Sequence, residues 1–369
     1  MTPAQIEIQL IAAVVAVACA LPGVFLILRR TAMMSDAISH AILLGIVLAF
    51  LVTEDLTSPF LIVAAAMTGL LTVLLVEILH KTRLVKEDAA IGLVFPVLFS
   101  IGVILIARFA GSVHLDTDAV LLGELAFAPF NRFVVFGVDI GPRSLYLMGG
   151  ILLINLAFIL LFFKELKLST FDAGLAASLG FMPWILHYGL MSLVSVTAVG
   201  AFDAVGSILV VALMIGPPSA AYLLTERLST MLLLSALMGM VGAISGFWIA
   251  HWADISIAGS MATMIGVIFI LVYLLSPGRG LLASVRRRVR QKWEFALAML
   301  VIHLSQHEHQ PEAVNECRAD HLTEHIRWNA KFAQQVVRLA KHRNLIDETD
   351  GRLNLTSNGR SLAARKVVG

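Results

Sequence analysis

IEIQLIAAVVAVACALPGVFLIL, residues 6–28, carries one charge, Glu7, over a length sufficient to cross the hydrocarbon core of a bilayer. A helix rises about 1.5 Å per residue, so roughly twenty apolar residues span the roughly 30 Å core. Similar runs recur near 36–53, 59–79, 90–107, 144–163, 183–200, 203–223, 230–250 and 260–276, about nine in all. Of 369 residues, 59% are hydrophobic and only 14% charged. A soluble domain carries roughly a quarter charged residues, so much of this surface meets lipid. The sequence predicts an all-α transmembrane helical bundle.

Charge divides the chain. Up to Gly278 there are 11 Lys and Arg against 16 Asp and Glu; from Arg279 onward there are 16 against 9. The boundary falls at Ser276-Pro277-Gly278, a helix stop. Residues 1–278 read as the transmembrane domain, 279–292 as a basic juxtamembrane linker and 293–369 as a small cytosolic domain. Arg29-Arg30, Lys81/Arg83/Lys86, Lys164/Lys167, Arg227 and Arg286-Arg287-Arg288 fall on alternate connections. Positive loops face the cytoplasm, which places the N-terminus outside and the C-terminus inside. Cys19 and Cys317 lie one in each part and form no disulfide framework.

Ionisable residues at membrane depth face the bundle interior and mark a pathway, or neutralise one another for packing. Asp36 and His40 are four apart and share one helix face. A carboxylate with an imidazole suits a divalent transition ion such as Mn, Zn or Fe; the plainer reading is an Asp–His hydrogen bond. Asp203 is expected to open the seventh span near the outer surface, as a pathway residue or as an acidic N-terminal residue favoured by the helix dipole. Gly216-Pro217-Pro218 reads as a break in that span. Gly242 and Gly246 form a GxxxG, for internal packing or a dimer face.

The order of these motifs resembles the ABC-type metal-ion permeases, the zinc/manganese/iron uptake family. Five stretches carry the resemblance: Ser35-Asp36-Ala37-Ile38-Ser39-His40-Ala41, Glu87-Asp88-Ala89-Ala90-Ile91-Gly92, Leu121-Leu122-Gly123-Glu124, residues 163–172, and residues 205–217. It covers about residues 1–278. The resemblance implies a permease subunit in the cell membrane, paired with a second permease, fed by an external metal-binding protein and driven by separate ATPase subunits. It implies a transported ion and no permanently bound cofactor, with Asp36 and His40 on the pathway. Asp172, Ala173, Gly174 and Gly180 would belong to the loop that couples to the ATPase, and Arg108, Arg132 and Arg143 would help dock the binding protein. No P-loop is present, so ATP hydrolysis falls to a partner and the chain itself is not expected to be an enzyme.

The tail reads as helices, then strand-like runs around Asp350-Gly351, then a helix opened by Asn358-Gly359. This pattern resembles a winged helix-turn-helix of the metal-dependent repressors. In that reading Asn329 to Leu345 is the recognition helix, with Lys331, Gln334, Gln335 and Arg338 as candidate DNA contacts, though a docking or regulatory role that lost DNA is favoured. His303, His307, Cys317, His321 and His325 recur at helical spacings and form either a cytosolic metal sensor or a solvated polar face. Rival functions are a permease for a metal chelate or siderophore, and a membrane-tethered winged-helix regulator. Asp36 and His40 favour a bare ion over a chelate, whose metal arrives already ligated.

Overall fold

The computed structural model describes residues 2–55, 58, 60–109, 125–135, 138–308, 310, 317–318, 322, 328–349 and 351–367. They form two compact units, Met1–Gly280 and Leu281–Gly369. The motif Leu121-Leu122-Gly123-Glu124 and the candidate ligands His321 and His325 lie outside the described residues.

The first unit is helical: α1 (Pro3–Arg29), α2 (Met33–Thr53), α3 (Phe60–Lys81), α4 (Glu87–Phe109), α5 (Arg143–Leu161), α6 (Phe163–Phe171), α7 (Ala173–Ser178), α8 (Pro183–Leu224), α9 (Leu228–Ala253) and α10 (Ile257–Leu275). Eight of these are long and apolar enough to cross a membrane. A two-stranded hairpin, β1 (Arg132–Val135) with β2 (Val138–Pro142), precedes α5. α1 is apolar on every side and is the bundle's central helix, packed against α8, α9 and α5. Its start is fixed by a capping box, Gln5 N–H donating to Thr2 Oγ1 and Thr2 N–H to Gln5 Oε1.

In α8 the join between two expected spans is shifted and an expected break is corrected. Separate spans were expected at 183–200 and 203–223; α8 is two helical arms joined at Gly206 (φ 77°, ψ 163°), so the two spans stand and the join lies a few residues later than expected. The chain reverses there. His187 meets Arg29 at the end of α1, Thr197 shares Asn155 with the Ala18 carbonyl, and Met214 is back against Gly23. Moving along α8, the neighbouring α1 residue is therefore 29, then 18, then 23. Gly216-Pro217-Pro218, expected to break the helix, lies inside it. Proline removes the N–H that would bind the carbonyl four residues back. The carbonyl so freed by Pro218 belongs to Met214, and it lies against Gly23, where a Cβ would come within 2.1 Å of the oxygen. Gly23, with no side chain, leaves room for that carbonyl.

Gly242 and Gly246 face α10 within the bundle, where a Cβ on Gly246 would stand 2.3 Å from Met261 Cα. The GxxxG serves internal packing.

The second unit contains α11 (Leu281–His307), α12 (Ala330–His342), β3 (Ile346–Thr349), β4 (Arg352–Leu355) and α13 (Ser357–Val367). β3 and β4 pair antiparallel, Ile346 opposite Leu355 and Thr349 opposite Arg352, with Gly351 at φ +75° in the turn. Leu297, Leu300, Leu304, Val336, Ile346 and Leu353 form its core.

Candidate functional site

Asp36 and His40 lie one turn apart at the start of α2, with Oδ1 and Nε2 3.4 Å apart and each side chain about a third exposed (33% and 30%). The His40 ring stacks on Phe95 of α4, with centroids 5.8 Å apart, and meets Phe99 edge-on at 6.1 Å. Ile38, on the opposite side of the turn, packs on Gly69 of α3, where Ser195 of α8 also arrives. A Cβ on Gly69 would stand 2.0 Å from Ser195 Oγ and 3.0 Å from Ile38 Cγ2. Ser195 Oγ–H donates to the Ala66 carbonyl at 2.9 Å. Three helices are thereby locked together directly behind the pair, and the pair itself stays partly exposed. Among the described residues no group of three or more His, Cys, Asp or Glu could hold a metal. The chain offers two donors here, half of a tetrahedral set.

Asp203 does not open a helix. It occupies the last turn before the Gly206 reversal and is exposed. Among the described residues no hydrogen bond or ion pair joins it to Asp36 or His40.

Asp172 has extended backbone (φ −149°, ψ 91°), and its Oδ1 accepts the Leu175 N–H at 2.9 Å, capping α7. Gly180, at φ +86°, closes the segment: its N–H donates to the Ala177 carbonyl and that of Phe181 to the Ala176 carbonyl, both at 3.1 Å. Ala173 and Gly174 lie in the first turn between. Phe171, Leu175, Leu179, Met182 and Trp184 stand exposed around this short helix.

A polar joint that sequence reasoning missed lies beside it. Arg29 Nε donates to Thr170 Oγ1, Nη2 to Ser169 Oγ and Nη1 to His187 Nδ1, each at 3.2 Å. A guanidinium has no acceptor, so Nδ1 of His187 must accept and its ring proton sits on Nε2. That nitrogen lies 2.6 Å from Glu77 Oε1. Glu77 Oε2 accepts from Tyr188 Oη at 2.7 Å and from Lys81 Nζ at 3.2 Å. The ends of α1, α3, α6 and α8 are tied in one network. Glu77 and His187 interrupt apolar runs, the one signal that singles them out in the sequence.

At the opposite end, Arg132 donates to Glu7 Oε1 at 2.8 Å and to Asp139 Oδ2 at 2.7 Å. These carboxylates push its guanidinium pKa above the ordinary value. Arg143 begins α5, its N–H bound to the Asn131 carbonyl at 2.9 Å, and Arg108 is exposed near the end of α4. In the second unit the rings of His303 and His307 are 4.8 Å apart, while Cys317 is buried in the core. Lys331, Gln334, Gln335 and Arg338 are exposed on α12.

The profile of the ABC 3 transport family matches residues 3–276. The chain is 50% identical over 361 residues, 98% of each protein, to the zinc transport system membrane protein TroD of Treponema pallidum. It is 47% identical to the manganese transport system membrane protein MntD of Bacillus subtilis, covering 76% of this chain and 95% of that protein. Its fold is similar to a chain of the solved complex of PsaBC from Streptococcus pneumoniae with Fab, at TM-score 0.63 and 28% identity, covering 75% of this chain and 94% of that one.

Proposed function

The chain belongs to the ABC 3 transport family, and we propose that in it the chain is the membrane-spanning permease of an ATP-driven importer for a divalent transition-metal ion. Zinc and manganese lead iron, because the relatives at 50% and 47% identity are named for those two. The chain is a transport subunit rather than an enzyme.

The Asp36–His40 pair carries the reading. One carboxylate and one imidazole suit zinc and manganese but fill only part of a four- to six-donor shell. Water or a second permease copy completes it. A partly protein-filled shell binds a bare ion and lets it leave, as transit demands. Asp203, exposed at the reversal of α8, is a further polar stop on the route.

The topology has the N-terminus outside, α7 and the tail in the cytoplasm, and α8 passing in and back around Gly206. Supporting this, the cationic Arg29 and Lys81 gather with Ser169 and Thr170 at one end of the bundle, as loops facing the cytoplasm would. There the capped α7, with its exposed apolar side chains, docks the ATPase. The Arg29–His187–Glu77 joint passes its displacement to α3 and α8, which grip Ile38 behind the metal pair. Arg108 and Arg143 face an external metal-binding protein, with Arg132 already satisfied by Glu7 and Asp139. The tail, with its helices and hairpin, is a winged-helix-like module for docking or regulation; His303, His307 and Cys317 are its candidate metal-responsive residues.

The test is uptake of radioactive zinc, manganese and iron in cells lacking their own importers, supplied with this chain and its ATPase and binding protein. Uptake that is lost in Asp36→Asn, with normal membrane insertion, is expected. Full uptake by both Asp36→Asn and His40→Ala removes the pair from the pathway.

A further inference from the structure

α11 is buried in the second unit only from Ala296 onward; its residues 281–292 carry no fully buried side chain. Leu281, Leu282, Val285 and Val289 of this overhang are 42 to 58% exposed. At 3.6 residues per turn they fall within an arc of about 100°, an apolar stripe from Leu281 to Val289 that Lys292 closes on the same arc. Arg286 and Arg290 border the stripe on one side and Arg288 on the other, and no acid occurs between Leu281 and Trp293. Lys292 stands over the Phe332 ring at 4.7 Å. Arg290 continues the cationic edge into a groove of about 640 Å³ lined by Trp293, Gln335, Arg338, His342 and Arg343. Of these, Arg343 is already paired with Glu294 at 2.8 Å.

The starting point of the helix says what meets this stripe. Ser276, the first residue after α10, donates its hydroxyl to the Leu223 carbonyl at 2.7 Å. Gly280 N–H turns back to the Ser276 carbonyl at 3.0 Å, and Arg279 pairs with Glu226 at 3.0 Å while lying over the Tyr222 ring. The chain leaves the end of the last apolar helix through a pinned turn, so Leu281 begins α11 immediately beside the bilayer surface. An apolar stripe flanked by arginines is what a helix lying in the lipid headgroup region presents. A parallel pairing of two copies through the stripe would bring like charges together at both edges, which is repulsive.

We propose that residues 281–292 form an in-plane helix on the anionic leaflet facing the tail. Leu281, Leu282, Val285 and Val289 enter the acyl boundary, and Arg286, Arg288 and Arg290 bind lipid phosphates. The inference rests on the membrane assignment made above but not on the identity of the ion.

The probe is a nitroxide at Val285→Cys, on a background with Cys19→Ala and Cys317→Ala, in the full chain with its ATPase. The complex is placed in nanodiscs of phosphatidylcholine alone or mixed with phosphatidylglycerol. With phosphatidylglycerol, collision with a water-soluble nickel relaxer should fall severalfold and collision with oxygen should rise. Arg286→Glu with Arg288→Glu and Arg290→Glu should abolish both changes. Equal water exposure in the two lipids overturns the proposal, as does burial in both, and spin–spin broadening assigns the stripe to a second copy instead. Metal uptake by the same labelled complex in sealed proteoliposomes of the same two lipid compositions separates this failure from that of the importer reading: intact uptake with a water-exposed label sinks the lipid contact alone.

Discussion

Two clusters of ionisable residues interrupt the apolar helices, and they are built in opposite ways. Glu77 faces an imidazole at 2.6 Å, a phenol at 2.7 Å and an ammonium at 3.2 Å, and Arg29 uses all three of its nitrogens. Asp36 and His40 have one another at 3.4 Å and, among the described residues, only the rings of Phe95 and Phe99 besides. A charge withdrawn from water is tolerated where partners saturate it. The saturated cluster behaves as framework. In the proposed importer, the unsaturated pair retains lone pairs for an incoming ion.

That contrast predicts unequal mutants. Asp36→Asn should lower uptake by at least about tenfold with little change in thermal stability, since even groups that only orient a metal ligand are worth roughly 10–100-fold. If the protein instead loses stability, the pair is framework too. Glu77→Ala should do the reverse first, destabilising the purified protein by about 2–3 kcal/mol in a melting assay. That is somewhat under the roughly 3–5 kcal/mol for breaking a fully buried pair, because Glu77 is 21% exposed. An unchanged melting temperature would contradict the framework assignment. Gly69→Ala, which drives a Cβ into Ser195, should cost about 1–3 kcal/mol as overpacking, relieved in part by Ser195→Gly. No relief would mean that α2 rather than α8 bears the clash. The smallest effect belongs to Asp172→Ala, about 1 kcal/mol from a lost N-cap. It should be seen as weaker ATPase binding with metal binding unchanged, and normal assembly would free the α7 cap from that role.

Local features were legible in the sequence, and features joining distant segments were not. The length of residues 6–28 and its repetitions announced the helices, and the four-residue spacing of Asp36 and His40 announced a shared face. The contact of Arg29 with His187 joins residues 158 apart, which no periodicity reports. Prolines 217 and 218 suggested a break because the compensating neighbour, Gly23, lies on another helix. The break between the runs 183–200 and 203–223 was legible, but Gly206 sits among apolar residues, so hydropathy did not fix its position. The β1–β2 hairpin escaped notice because its strands of four and five residues are too short to stand out within a mixed-charge segment.

The reversal at Gly206 gives α8 the geometry of tweezers. Both feet stand at the same end of the bundle, one held at His187 by the joint and the other at Leu223 by Ser276, while the tip lies buried among Ala204, Val205 and Ser207. Spreading the feet of such a tool moves its tip without bending either arm, provided the apex yields. Only glycine readily occupies the backbone angles found at this apex. Work done on one surface of the membrane can in this way be delivered at its interior by two stiff helices and a single compliant residue.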